Sequence, residues 1–83
     1  MYDIYKTTDI ILAACLKING YILDSIKKGD SNKGIFVFKN VSKEFVAEYD
    51  LGKTLVEPVT FNNAIKQLTT STRRMFDNNV RSE

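Results

Sequence analysis

The run Thr7 to Gly20 constrains this chain most, because it holds a helix start, an apolar body and a helix stop in one short stretch. A hydroxyl at Thr7 or Thr8 can accept a free backbone N–H, and Asp9 then places a carboxylate in the first turn, where the helix dipole favours it. Ile11, Cys15 and Ile18 recur at helical spacing, and Leu12 with Leu16 widens the stripe. Ala13 and Ala14 keep the helix thin enough for close packing. Asn19-Gly20 tolerates positive φ, which ends the helix and turns the chain. The spacing therefore predicts a largely buried first helix.

Beyond this stop, Tyr21 to Lys27 is rich in strand formers. Lys28-Gly29-Asp30-Ser31-Asn32-Lys33-Gly34 reads as a loop and Ile35 to Lys39 as a second strand, so the pair predicts a β-hairpin. Ile35 and Val37 fall on one face, Phe36 and Phe38 on the other, and both faces call for cover. Ser42 is a natural N-cap for a second helix, with Val41 and Val46 as its staple, and Phe45, Val46 and Tyr49 as its inner stripe. Gly52 ends that helix. Thr54-Leu55-Val56-Glu57 reads as a short third strand or extended chain, since the residue before Pro58 avoids helical geometry. Pro58 suits a first helical position, and Phe61, Ala64, Ile65 and Leu68 repeat at helical spacing. The Thr-rich run 69–72 is poor helix material, so helix is expected to about Met75, with 77–83 as a flexible tail.

The predicted fold class is thus α+β, a small antiparallel hairpin with an optional third short strand packed against three helices in the order α-β-β-α-(β)-α. Eighty-three residues suffice for a single domain, here 1–76, with one modest core. Such a small domain has little stability in reserve, which makes a homodimer a natural expectation.

The same residues narrow the chemistry. Histidine is absent, which removes the commonest general base and metal ligand. One cysteine, Cys15, supports neither a disulfide framework nor a structural zinc site, and on an apolar helix face it reads as a small hydrophobe. The four glycines are scattered at 20, 29, 34 and 52, so no phosphate-cradling glycine motif can be assembled. Glu44 and Glu48 sit four apart, which most often marks a solvated helix face. Catalysis, cofactor and metal are therefore not expected. The first residues lack a charged-then-apolar leader, and the apolar run Ile10–Leu16 is far shorter than the roughly 20 residues that span a bilayer. A cytoplasmic protein without a membrane partner is expected.

Charge is bipolar. From Lys17 to Lys43 six lysines stand against two acids, and from Glu44 to Glu57 four acids stand against Lys53. Lys27, Lys28, Lys33 and Lys39 gather about the hairpin, and Arg73 and Arg74 on the last helix extend the group, or else compensate that helix's dipole. With Tyr21, Phe36 and Phe38 as possible stacking platforms, these cations are the candidate contacts to nucleic acid; in the competing reading the aromatics are core and the lysines guard an edge strand. Tyr2 is either a recognition aromatic or cover for the sheet end, while Tyr5 reads as core.

Tyr5-Lys6-Thr7-Thr8-Asp9, Leu12-Ala13-Ala14 with Leu16, Gly20-Tyr21, Ile35-Phe36-Val37-Phe38 and Pro58-Val59-Thr60-Phe61 with Ala64 and Lys66-Gln67-Leu68 together resemble a family of small uncharacterised proteins from phages, mobile elements and low-GC Gram-positive bacteria. The likeness covers about residues 4–69 and consists of caps and core, so it implies fold kinship and transfers no catalytic residue. It implies a non-catalytic binding protein that occupies a surface of host nucleic-acid machinery, such as an anti-CRISPR or another regulator. Candidate contacts to a host protein or protein–nucleic-acid complex are Tyr2, Glu44, Glu48, Asp50 and Glu57. The alternative expectation is a small, dimeric DNA- or RNA-binding module using Lys27, Lys28, Lys33, Lys39, Arg73 and Arg74.

Overall fold

The chain opens with a strand, ahead of the helix that dominates its sequence. A computed structural model describes residues 1–30 and 33–81. Its elements are β1 (Tyr2–Thr7), α1 (Ile10–Ile18), β2 (Leu23–Lys28), β3 (Gly34–Val41), α2 (Lys43–Asp50) and α3 (Pro58–Arg81). The class is α+β as expected, with the order corrected to β-α-β-β-α-α. A third strand exists, but it is Tyr2–Thr7; Thr54–Glu57 is extended chain without a sheet partner. β1 escapes a sequence reading because Tyr2-Asp3-Ile4-Tyr5-Lys6-Thr7 has no clean period-two apolar face, as suits an edge strand.

All pairing is antiparallel, and β3 is central in the order β1-β3-β2. Tyr5 stands opposite Phe38 and Thr7 opposite Phe36 on one side; Leu23 and Ile26 face the same two residues on the other. A register irregularity between Leu23 and Ser25 lets both Leu23 and Ile26 reach the helix-covered face. Phe36 and Phe38 are buried there, at 2% and 0% exposure. They are core, which corrects their candidacy as stacking platforms. Strict alternation would send Val41 to the side of Val37, yet it lies wholly buried in the Phe36–Phe38 core. Asn40, at φ 57°, breaks the alternation, a conformation that asparagine tolerates better than most residues.

Leu12, Ala13, Ala14 and Leu16 of α1 meet this face together with Val46 of α2 and Ala64 and Leu68 of α3. Phe38, Leu16, Leu68 and Val41 are the largest fully buried side chains, each worth roughly 1.5–3 kcal/mol of burial. The expected stripe through Ile11 shifts toward Leu12 and Leu16, so Ile11 stays 50% exposed. Asp9 caps α1, in place of the expected Thr7 or Thr8, because Thr7 is committed to β1 and its hydroxyl accepts the Asp9 N–H at 3.0 Å. Both short helices end in the same pair of hydrogen bonds. Gly20 and Tyr21 N–H donate to Lys17 and Leu16 carbonyls, and Gly52 and Lys53 N–H to Tyr49 and Glu48 carbonyls.

α3 continues past the expected stop near Met75 to Arg81, into the segment read as tail; Ser82, Glu83 and the loop residues Ser31 and Asn32 lie outside the described residues. Its threonines are accommodated because the Thr72 hydroxyl donates to the Leu68 carbonyl at 2.9 Å. Thr72 also crosses Gly34, where a Cβ would stand 3.0 Å from Thr72 Cγ2. Gly34→Ala is therefore expected to destabilise the fold by about 1–3 kcal/mol in chemical denaturation. Thr72→Ser should recover part of that loss in the double variant.

Candidate functional site

The segment joining α2 to α3 carries the exposed apolar side chains Leu51 and Leu55, and its placement begins at Asp9. Asp9 Oδ1 accepts the N–H groups of Ile11 (2.9 Å) and Leu12 (3.3 Å), and Oδ2 accepts the Tyr49 hydroxyl at 2.9 Å. One carboxylate thus caps α1 and holds the end of α2 against it. Burial, and then this bond to Asp9, push the Tyr49 hydroxyl up to about 12. Burial raises the neighbouring Tyr5 as well, with Asp50 as the next contributor. The start of α2 is fixed from the other side. Tyr21 stacks edge-on against Phe45 at 5.6 Å, and its oxygen accepts the Ser42 N–H at 3.3 Å. Tyr21 is therefore engaged within the fold.

From Gly52 the chain runs extended to Glu57, which holds the start of α3. Glu57 accepts the N–H groups of Val59 (3.0 Å) and Thr60 (2.8 Å) and the Thr60 hydroxyl (2.7 Å). These bonds hold its carboxyl below the usual carboxylate range. Ile11, Cys15, Tyr49, Val56 and Phe61 line a cavity of about 170 Å³ under this segment, closed by Gly52 and Thr54. Val56 and Phe61 continue into a neighbouring groove with Pro58 and Val59. Above them Leu55 is 92% exposed and Val59 66%, with Leu51 and Ile11 also largely in solvent. Asp50, Leu51 and Glu57 are the chain neighbours of the lining residues Tyr49, Gly52 and Pro58. The result is an apolar strip with carboxylates at its borders.

The predicted acidic contacts divide. Asp50 and Glu57 border the strip, and Glu48 is exposed on α2. Glu44 is occupied at the opposite end of α2, where it accepts the Ser42 hydroxyl at 3.0 Å while Ser42 Oγ accepts the Phe45 N–H. Its own backbone N–H and then the Ser42 hydroxyl hold its carboxyl below the usual carboxylate range. Tyr2 is half-buried, 5.0 Å from the Tyr5 ring, with the Lys43 ammonium over its face at 5.6 Å. The apolar members Ile11, Leu51, Leu55 and Val59 were missed as site residues. Their signal was present in the pairing of Leu51 and Leu55 with a segment having no helical or strand period.

The basic candidates form no single patch. Lys27 faces the helix-free side of the sheet opposite Ile35, and Lys39 is paired with Asp24 at 3.4 Å. Lys28 lies over the Phe76 ring at 5.6 Å. Lys33 and Arg73 share a groove, while Arg74 lines a different hollow with Lys66. Among the described residues no three His, Cys, Asp or Glu side chains are grouped to hold a metal ion, and no helix is long and apolar enough to cross a membrane.

A family model described as "Domain of unknown function (DUF5659)" matches residues 2–73. The chain belongs to this family. No curated protein and no solved structure matches the chain. The DUF5659 span opens at β1 and closes at Arg73, so it takes in the whole sheet, the strip and the first two-thirds of α3. The match fits the expectation of an uncharacterised family.

Two measurements check this geometry. Because Tyr49 holds its proton more tightly when folded, its contribution is fully present below pH 10.0 and is lost as pH rises toward about 12. Tyr49→Phe should lose about 1 kcal/mol at neutral pH and show a shallower fall in stability across that window. Cys15 is 4% exposed, and burial raises its thiol above the ordinary range; a thiol reagent should label it at the rate of opening, and at full speed only in denaturant.

Proposed function

We propose that this protein is a non-catalytic binding protein that docks the strip Ile11–Leu51–Leu55–Val59 onto a larger nucleic-acid-handling protein. The observation that carries the reading is the exposure of Leu55 and Val59 beside Asp50 and Glu57. Large apolar side chains at such exposure mark contact sites when they cluster. The carboxylates at the border give the surface a sign, and their complement is a basic groove of the sort that grips phosphates. A protein that fills such a groove acts by exclusion, as an anti-defence inhibitor such as an anti-CRISPR from a phage or mobile element would, and needs no reacting group of its own.

The test uses the full chain as bait in nuclease-treated bacterial lysate. Wild-type protein should retain a protein partner that salt releases. Leu55→Asp combined with Val59→Asp should lose it, and Lys27→Glu with Lys28→Glu should keep it. Equal retention by the strip variant, or no retained protein, overturns the reading. Gel shifts with random oligonucleotides give the contrasting outcome: direct binding that falls by roughly 0.7–0.9 log units per log unit of salt for each phosphate contacted would transfer the function to the basic residues.

A further inference from the structure

A second groove lies away from the strip, between the start of α1, the start of β3 and the latter half of α3. It encloses about 320 Å³, at the lower end of the range of small-molecule sites. Ile10 and Phe36 are its apolar lining, and Gly34 lies so close to Thr72 that no Cβ fits between them. Thr69 and Thr72 supply hydroxyls on the α3 side. The Thr72 hydroxyl donates its proton to the Leu68 carbonyl, so toward a ligand its oxygen can only accept. Lys33 and Arg73 line it as well, from the hairpin loop and from α3. Among the described side chains the ion pair present is Lys39–Asp24, and neither Lys33 nor Arg73 belongs to it.

We propose that this groove binds a phosphate monoester carrying a small apolar or planar body. A monoester near neutral pH holds about −1.5 to −2 charges, which two cations match and one does not. The guanidinium can bond two phosphate oxygens in its plane, while the ammonium acts as a point charge on the third. Ile10 and Phe36 take the body of the ligand, and the threonines meet its polar edge. The groove uses none of the strip residues, so the two sites stand or fall separately.

One chemistry here has two sources, a free nucleotide or aryl phosphate and the 5′-phosphorylated end of a strand. Backbone amide spectra of the full chain should be recorded during titration with adenosine monophosphate, phenyl phosphate, inorganic phosphate and adenosine. Saturable shifts are expected at Gly34, Thr69 and Thr72 with the two esters, weaker ones with inorganic phosphate, and none with adenosine. Lys33→Gln and Arg73→Gln should each weaken ester binding by about tenfold, with unchanged spectra for β1 and α2 as proof of folding. A 5′-phosphorylated oligothymidylate that binds more tightly than its 5′-hydroxyl counterpart and than either ester assigns the site to strand ends; tighter ester binding assigns it to free monoesters. The proposal is overturned if neither ester gives a saturable shift at millimolar concentration, if the substitutions leave affinity unchanged, or if inorganic phosphate alone binds as tightly as the esters.

Discussion

The Asp9 carboxylate is the junction on which the arrangement of helices depends. Its two oxygens have separate duties, one satisfying the first free N–H groups of α1 and the other receiving the Tyr49 hydroxyl. A hydroxyl side chain at this position could cap α1, as threonine does elsewhere, but it could not also hold α2. Because α2 is only eight residues long and has Val46 as its single buried residue, packing alone holds it weakly. Its position is fixed by polar ties at both ends, Asp9 at one and Tyr21 at the other. The path of the following segment, and hence the exposure of Leu55 and Val59, follows from where α2 is held.

Local signals were legible in the sequence wherever a residue's role is decided by its immediate neighbours. Ser42 caps α2, the Gly20 and Gly52 terminations stand where positive φ was expected, and the hairpin joins the two strands read from Tyr21–Lys27 and Ile35–Lys39, each displaced by one or two residues. What escaped was decided at long range. β1 has no strand signature of its own and exists because β3 offers it a partner 29 to 39 residues away. Val41 enters the core through the backbone turn at Asn40, and Glu57 caps α3 with a side chain seldom chosen for that task. The latter half of α3 meets the sheet where Thr72 crosses Gly34, a contact no window of the sequence contains.

The candidate surfaces divide along the same line. Charge segregation was visible in composition, and the acidic stretch does border the strip, through Asp50 and Glu57. The aromatic residues assigned beside the lysines proved to be core or internal supports, as burial of Phe36 and Phe38 and the bonding of Tyr21 require. Lysines adjacent in sequence are then split by the strand's own alternation, with Lys27 on the solvent face and Lys28 turned toward Phe76. The pairing of Lys33 with Arg73 is the reverse case, two residues 40 apart brought to one groove by the length of α3.

The register that sets Tyr2 opposite Val41 also orders events in time. During synthesis β1 emerges before any strand it can join, and at roughly 5–20 residues per second it waits some seconds until β3 is complete. α1 can coil and the hairpin can zip locally in that interval, since both rely on near neighbours. The central strand therefore acquires its second neighbour last, and the seam between β1 and β3 is the place where a nascent copy is open to capture by another chain's strand.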